Sequence, residues 1–503
     1  MKTNLKAFLG LSAVSVLTLL FVSLQSYTHD ISNLYDSTWY FMCGKAWMNG
    51  MIPYVDFADS KGPLLWLLFG GSYLFSPHTF LGVFWLTCLS YTFACFFAYK
   101  LAGLYLRDSR KSFLVAACML VLFLNKMMRN DIHTEDLTLC FIMLSLYTTC
   151  RMFYFKGSAN VAGFLTGLGL AATLLIKFTG AAMIGVFALS VCYALLRRRK
   201  PLWLPFGSFV LGASLLLLPF LAYFVSQGTL GIFIDEYFVK TLITTRNGNP
   251  VENALTLLKS PANIFVLLTT LPGLFLIAYR HRSERFFPLV AFAIIYLMTL
   301  PNAWLNYLMC VVPFSIFTLI VLADGCLHRH RPLWTDFALV FLSMVASISS
   351  TLYLHNYRHP DVGDFFTQDN SLRRQFYFYE YLINEVPCPR IVYGPAVPPV
   401  NGICSDALPG CKYFARQYGA TDAMIEDQYE AVRKRKADFA LIAIEDKEFA
   451  AVAKKAGYRR YYKKNKTSDF CLYSRRQLKL PPDSFHVSNM DVLLKRELFP
   501  SRR

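Results

Sequence analysis

The chain has 503 residues, is 55% hydrophobic with 16% aromatics, and is only 16% charged, which is too apolar for a soluble enzyme of this size and places it among polytopic membrane proteins. Its net charge of +18 does not point to nucleic acid. The basic residues come in small clusters between apolar runs, the way cytoplasmic loops of membrane proteins are marked, and no nucleic-acid-binding motif accompanies them.

The first apolar run, Phe8 to Leu24, carries no charge and is long enough for a hydrocarbon core of roughly 30 Å. No small-residue cleavage site follows it before Tyr27, so it reads as a retained first span and not as a removed signal peptide. About ten further spans fit the hydropathy, for about eleven in all. They lie near Thr79 to Leu104, Ser112 to Leu124, Leu137 to Phe155, Ala159 to Ile176, Phe178 to Leu196, Leu202 to Val225, Ile264 to Tyr279, Phe286 to Leu300, Tyr307 to Leu322 and Phe337 to Leu354. With the N-terminus cytoplasmic, the clusters Arg107/Arg110/Lys111, Arg197 to Lys200, Arg280/Arg282/Arg285 and Arg329/Arg331 all fall inside, as the charge rule requires. The opposite loops carry the acids. An odd number of spans then leaves the C-terminal region outside.

Between the first two spans, Tyr35 to Pro63 crowds acids and glycines against the membrane. Asp36 to Asn49 is predicted as a short helix ended by Gly50 and Pro53, with Tyr40, Ala46 and Trp47 toward lipid and Asp36 at its start, where the helix dipole favours a carboxylate. Lys61 to Phe75 is predicted as a second interfacial helix with Lys61 at the lipid surface and Trp66, Leu67 and Phe69 beneath it. The plain alternative is an ordinary loop with solvated charges. A second acidic element, Lys126 to Asp136, packs Arg129, Asp131, His133, Glu135 and Asp136 into a few residues. Beside the first loop it would supply a base and a supporting acid; alternatively Glu135 and Asp136 simply begin the next helix.

Lys177 lies between two apolar runs at an outer span end, either as a functional cation or as a lysine that snorkels to the interface. The segment Gln227 to Pro261, with Asp235, Glu236, Tyr237, Lys240 and Arg246, is long enough for a flap, and Arg246 suits a phosphate because guanidinium takes two oxygens. Asn306 and Tyr307 stand at another outer span end, where tyrosine often only anchors. Gly163, Gly167 and Gly169 have the spacing that lets helices approach closely. Walker A, GxSxG, HExxH and paired CxxC motifs are absent, so their chemistries have no support.

From about His355 the composition becomes that of a soluble module. Strands are predicted at Arg390 to Gly394, Phe439 to Ile444 and Phe470 to Ser474, with an amphipathic helix at Asp422 to Lys436 between the first two. The expected division is therefore a membrane domain over 1–355 and an extracytoplasmic α/β domain over 356–503. Of the 13 cysteines, Cys388, Cys404, Cys411 and Cys471 lie in this outer domain, where Cys404 with Cys411 is the preferred disulfide and free thiols the alternative.

The ensemble resembles the GT-C membrane glycosyltransferases, and more narrowly the group that holds protein O-mannosyltransferases and the aminoarabinose transferase of lipid A in bacteria. A first span leads to an outer loop with an acid near its start, a tyrosine, a G..PY.D segment and a lysine with proline before an interfacial helix. Asp36, Tyr40, Gly50, Pro53, Tyr54, Asp56, Lys61 and Pro63 fill those places. Arg129 with Glu135, the KFTG at Lys177, and Asn306, Tyr307 and Pro313 extend the likeness to about Leu354. The family often has an acidic pair at the first site, whereas Ser37 follows Asp36 here.

The resemblance implies an α-helical polytopic membrane protein of GT-C type, with a small C-terminal α/β domain, in a bacterial inner membrane. It implies an inverting transfer of a sugar from a polyprenyl-phosphate donor to a hydroxyl of a glycan, lipid or protein acceptor on the outer face. Asp36, supported by Glu135 and Asp131, would be the catalytic group. Lys61, Arg129, Lys177 and Arg246 would hold the donor phosphate, and Tyr40, Tyr54, Asp56, Asn306 and Tyr307 would contact substrate. No cofactor is specified, and a divalent metal stays open. The alternatives are a surface-polysaccharide polymerase or ligase, which would want an outer loop richer in arginine and histidine, and a non-enzymatic transporter of lipid-linked glycans, which would place ionisable groups in mid-span.

Overall fold

The structure, a computed structural model, describes residues 2–23, 25–26, 35–125, 133–244, 249–280, 287–301, 304–327, 332–358, 378–395, 397, 399, 401–415, 420–461 and 470–480. It is mainly helical with one small sheet, and its chain divides into two compact units.

The first unit comprises Met1–Val22, Thr87–Ser226 and Asn247–Arg358. Among the described residues of the whole chain, 7 helices are long and apolar enough to cross a membrane, which makes this a multi-pass membrane protein. They are α1 (Lys2–Val22), α4 (Leu81–Leu106), α6 (Thr134–Tyr154), α7 (Ala159–Ile176), α8 (Phe178–Arg197), α9 (Trp203–Ser226) and α13 (Pro261–Arg280), the last preceded by the short α12 (Pro250–Lys259), while α2 (Tyr35–Met48) and α3 (Pro63–Phe75) belong to the second unit. The other predicted spans fall on the shorter helices α5 (Ser109–Phe123), α14 (Phe287–Thr299) and α15 (Ile316–Cys326), and on α16 (Leu333–Arg358), whose apolar stretch is Leu333–Ile348. The continuous span predicted from Tyr307 to Leu322 is not formed. Tight 3-10 turns occupy Leu305–Cys310 and Val312–Ser315, and α15 starts only at Ile316, because Pro313 lacks an N–H to extend an α-helix through this stretch.

Local chemistry sets several of these ends. Asp108 caps α5 by accepting from the N–H groups of Arg110 and Lys111 at 2.9 and 3.1 Å. The predicted glycine contacts are present: a Cβ on Gly163 or Gly167 would run into backbone of α9, at Pro205 and Phe209. Gly212 returns the contact against Phe164, so α7 and α9 meet backbone to backbone.

The second unit comprises Ser23–Leu86, Gln227–Arg246 and His359–Arg503. The predicted helices of the first loop are α2 (Tyr35–Met48) and α3 (Pro63–Phe75), with Gly50 at φ 84° after the first and a proline in the first turn of the second. At about 1.5 Å per residue, α3 is roughly 20 Å long, short of a hydrocarbon core. The lipid-facing assignments need correction. Tyr40, Ala46, Trp66 and Phe69 are buried, Trp47 is partly exposed and Leu67 exposed, because α2 and α3 pack on each other. A Cβ on Gly44 would overlap the backbone of Phe69 and Gly70, and Tyr40 meets Phe69 edge-on at 5.6 Å.

Gln227 to Arg246 is likewise no open flap in its described part. It winds into α10 (Leu230–Ile234), a π-helical turn at Asp235–Lys240 and α11 (Thr241–Thr244), with Phe233, Glu236 and Tyr237 buried. The extra residue per turn in the π segment aims Glu236 and Tyr237 inward.

The C-terminal module holds a five-stranded sheet in the order β2-β1-β3-β5-β4, made of β1 (Arg390–Tyr393), β2 (Leu408–Pro409), β3 (Phe439–Ala443), β4 (Arg459–Tyr461) and β5 (Phe470–Ser474). β1 and β3 are parallel with Val392 opposite Ala440, joined through the predicted helix, here Asp422–Arg433. β3 and β5 are antiparallel with Leu441 opposite Leu472. Both faces of this centre are covered, which is why its strands read as unbroken apolar runs. Cys388, Cys411 and Cys471 are free thiols, and the side chain of Cys404, the other half of the preferred pair, lies outside those described.

Candidate functional site

In the first unit, four residues singled out separately in the sequence meet at the ends of α6, α7 and α8. Glu135 opens α6, Lys177 is the single residue between α7 and α8, and Asn306 and Tyr307 sit in the 3-10 turn Leu305–Cys310. Lys177 Nζ donates to Glu135 Oε1 at 2.7 Å, with the lysine side chain 15% and the glutamate 5% exposed. Asn306 Nδ2 donates to the other carboxylate oxygen at 3.2 Å, as does the Thr134 hydroxyl at 3.1 Å. The Lys177 ammonium lies 4.1 Å from the centre of the Tyr307 ring, a cation on a π face.

A buried ion pair of this kind costs desolvation on both sides, and here every oxygen of the carboxylate has a donor. The two acids at the start of α6 therefore part ways. Asp136 is the helix-starting residue the alternative described, accepting from the His133 N–H at 2.7 Å and bonded to the Tyr91 hydroxyl, whereas Glu135 faces Lys177. Arg129 and Asp131 lie outside the described residues.

In the second unit, Asp36 occupies the first turn of α2 and is partly exposed. Lys61, also partly exposed, stands just before α3, its Nζ 3.0 Å from the Ser60 hydroxyl and 5.8 Å from the centre of the Tyr40 ring. Tyr54 is fully buried at φ 66°, a left-handed backbone that a residue other than glycine holds only when its surroundings demand it. Its ring is packed against Trp66 at 4.6 Å and Phe233 at 5.3 Å, its N–H donates to Phe57 O, and its hydroxyl donates to the Lys61 carbonyl at 2.8 Å. Asp56 accepts from the Ile52 N–H at 2.7 Å and closes the same turn. Tyr40, Tyr54 and Asp56 thus build the platform that sets Lys61, with both rings inside the unit. Arg246 lies outside the described residues.

The sequence reading missed two polar groupings in this unit. Glu236 collects Lys240 at 2.6 Å, Lys412 at 2.5 Å and the Tyr413 hydroxyl at 2.9 Å. Burial pushes its carboxyl up, yet the hydrogen bonds from Lys240 and Lys412 outweigh that and hold it below the usual carboxylate range. Burial, followed by the bond to Glu236, pushes Tyr413 up to about 12. Lys45, in the last turn of α2, is 1% exposed. Its only sequence signal is a lone lysine among the aromatic and small residues of a short helix. Among the described residues, no three His, Cys, Asp or Glu side chains are grouped for a metal ion.

The fold is that of the GT-C class of membrane glycosyltransferases. The chain is similar to ArnT from Cupriavidus metallidurans bound to undecaprenyl phosphate, with 12% identity and a TM-score of 0.63 over 93% of this chain and 98% of that one. The apo state of the same protein gives 13% and 0.61 over 94% and 98%. Arabinofuranosyltransferase AftD from Mycobacteria is similar at 13% and 0.54, over 93% of this chain and 39% of that one. Residues 33–230 match the family described as dolichyl-phosphate-mannose-protein mannosyltransferase, so the likeness in sequence covers the first loop, the Glu135 element and Lys177. A search of curated proteins found no match.

Proposed function

We propose that the protein is an inverting glycosyltransferase that moves a sugar from a polyprenyl-phosphate donor to an acceptor hydroxyl on the outer face of a bacterial inner membrane. The observation that carries this reading is the match of residues 33–230 to a lipid-phosphate-sugar transferase family over the stretch that holds Asp36, Lys61, Glu135 and Lys177. The likeness to a protein with undecaprenyl phosphate bound agrees in the chemistry of the donor.

In this reading Asp36 takes the proton of the acceptor hydroxyl as that oxygen attacks the anomeric carbon. The bond from that carbon to the phosphate oxygen breaks, and the lipid phosphate departs with its electron pair. A phosphate needs little protonation to leave, so a cation suffices beside it, and Lys61 is the one that the Tyr54 platform holds in place. Arg129 and Arg246 are assigned to the same phosphate, and Asp131 is the reserve for the base. Lys177 is engaged by Glu135, which favours a supporting role for this pair, with Asn306 and Tyr307, inside the membrane domain. The module over 356–503 and the membrane domain over 1–355 are proposed as the two functional parts.

The test is transfer from a lipid-linked sugar donor by purified protein in nanodiscs. Asp36→Asn keeps size but removes the proton acceptor, and turnover should fall about 10² to 10⁴ fold while donor binding changes little. Lys61→Ala should instead weaken donor binding by about 1.5 to 3 kcal/mol. Near-normal turnover of Asp36→Asn would move the base elsewhere, and absence of transfer by the wild-type protein from any polyprenyl-phosphate sugar would remove the donor assignment.

A further inference from the structure

Lys45 has no part in the chemistry above, yet it is among the largest fully buried side chains of the protein. An ammonium withdrawn from water is costly unless it is hydrogen-bonded, so its partners disclose its use. It donates to the carbonyl of Gly402 at 2.9 Å and to the carbonyl of Ser405, both in the C-terminal module, more than 350 residues further along the chain. Both acceptors belong to the short helix Asn401–Cys404 and the residue after it, whose carbonyls have no further turn to bond. Lys45 therefore caps an element of the module from the last turn of α2.

The rest of this seam is equally close. Gly402 lies so near Met42, one turn before Lys45, that a Cβ there would overlap its side chain. Trp39 meets Phe414 at 5.7 Å, Arg390 reaches the Met51 sulfur at 2.9 Å, and the Ala58 N–H donates to the Lys412 carbonyl at 2.9 Å. Asp36 stands on the same helix, one turn before Trp39 and Tyr40. A rigid helix gripped along Trp39, Met42 and Lys45 has its first turn placed by that grip.

We propose that Lys45 is a positioning residue: its buried ammonium pins α2 to the C-terminal module, so that the module sets the placement of Asp36 and is a working part of the transfer site. This rests on the glycosyltransferase reading for its effect on turnover, but not for the pin itself. Loss of the pin should show as a defect in turnover larger than in donor affinity, because Lys45 touches neither substrate.

The experiment uses the full chain in nanodiscs and two readouts, hydrogen exchange of residues 401–405 and of α2, and transfer kinetics. Lys45→Met should raise exchange at both places and lower kcat by about 10² fold, the loss that a misplacement of about 1 Å produces, with the KM for the lipid-linked donor little changed. Gly402→Ala, which pries the seam and leaves Lys45 in place, should do the same and serves if the first variant does not fold. Adding Met42→Cys with Gly402→Cys to Lys45→Met gives two sulfurs close enough to bridge; the oxidised form should regain turnover and lose it again on reduction.

Unchanged exchange in Lys45→Met would overturn the pin. Raised exchange with wild-type turnover, or a formed disulfide that restores nothing, would overturn the positioning role. If the wild-type protein transfers no sugar, the exchange result still decides whether Lys45 holds the module.

Discussion

Lys177→Met gives the most direct test of the Glu135–Lys177 cluster. The substitution keeps the length and apolar bulk of the side chain but removes the ammonium that lies 2.7 Å from Glu135 Oε1. Glu135 would then keep Asn306 and Thr134 as donors, but as an uncompensated charge with its side chain 5% exposed. Removing one partner of a buried pair costs about 3 to 5 kcal/mol, far above the ~1 kcal/mol of an exposed pair. Part of that cost belongs to the stranded carboxylate, so Lys177→Met with Glu135→Gln should recover up to about 3 kcal/mol of it in a double-mutant cycle. The assay is unfolding by SDS titration in mixed micelles, read by far-UV circular dichroism, on the two single variants, the double variant and the wild type. A loss below about 1 kcal/mol in Lys177→Met, or a double variant no more stable than that single one, would refute the claim that the pair is buried and mutually compensating.

Other expectations follow from the second unit. The Glu236 carboxyl is held below its ordinary value when folded, so its stabilising effect is fully present above the unfolded value of about 4.3 and is lost as pH falls through the folded one. Hydrogen exchange of residues 235–240 and 412–413 should therefore rise steeply on acidification below about pH 4, and Glu236→Gln should flatten that rise; an identical profile in the variant would show that another group controls it. The first loop and the C-terminal module belong to one unit and share the Lys45 seam, so both are expected on the same side of the membrane. A reporter active only in the cytoplasm, fused after Arg503, should be silent, and activity there would reverse the proposed orientation.

Much of the architecture was legible because burial in lipid or in a sheet centre leaves long apolar runs. The helices over 159–176 and 178–197 fall where hydropathy puts them, with Lys177 as the break, and three strands of the module begin at the predicted residue. Arg459–Tyr461 escaped notice because it is an exposed edge strand with two arginines, and Leu408–Pro409 because two residues carry no periodicity. The segment predicted as a flap, Gln227 to Pro261, was singled out by its length, and only the folded unit shows which residues of its 227–244 part turn inward.

Residue type and spacing by themselves determined that this is a multi-pass membrane protein with a soluble α/β end, and they singled out Glu135, Lys177, Asn306 and Tyr307 as costly groups at span ends. They could not assign partners, because partner choice joins positions far apart in the chain. Tertiary structure decided that Lys177 answers Glu135, that Tyr54 is a buried support for Lys61, and that Lys45 serves carbonyls of the C-terminal module. In each case a charge or hydroxyl removed from water must find a complement, and only the folded chain determines which one lies within reach.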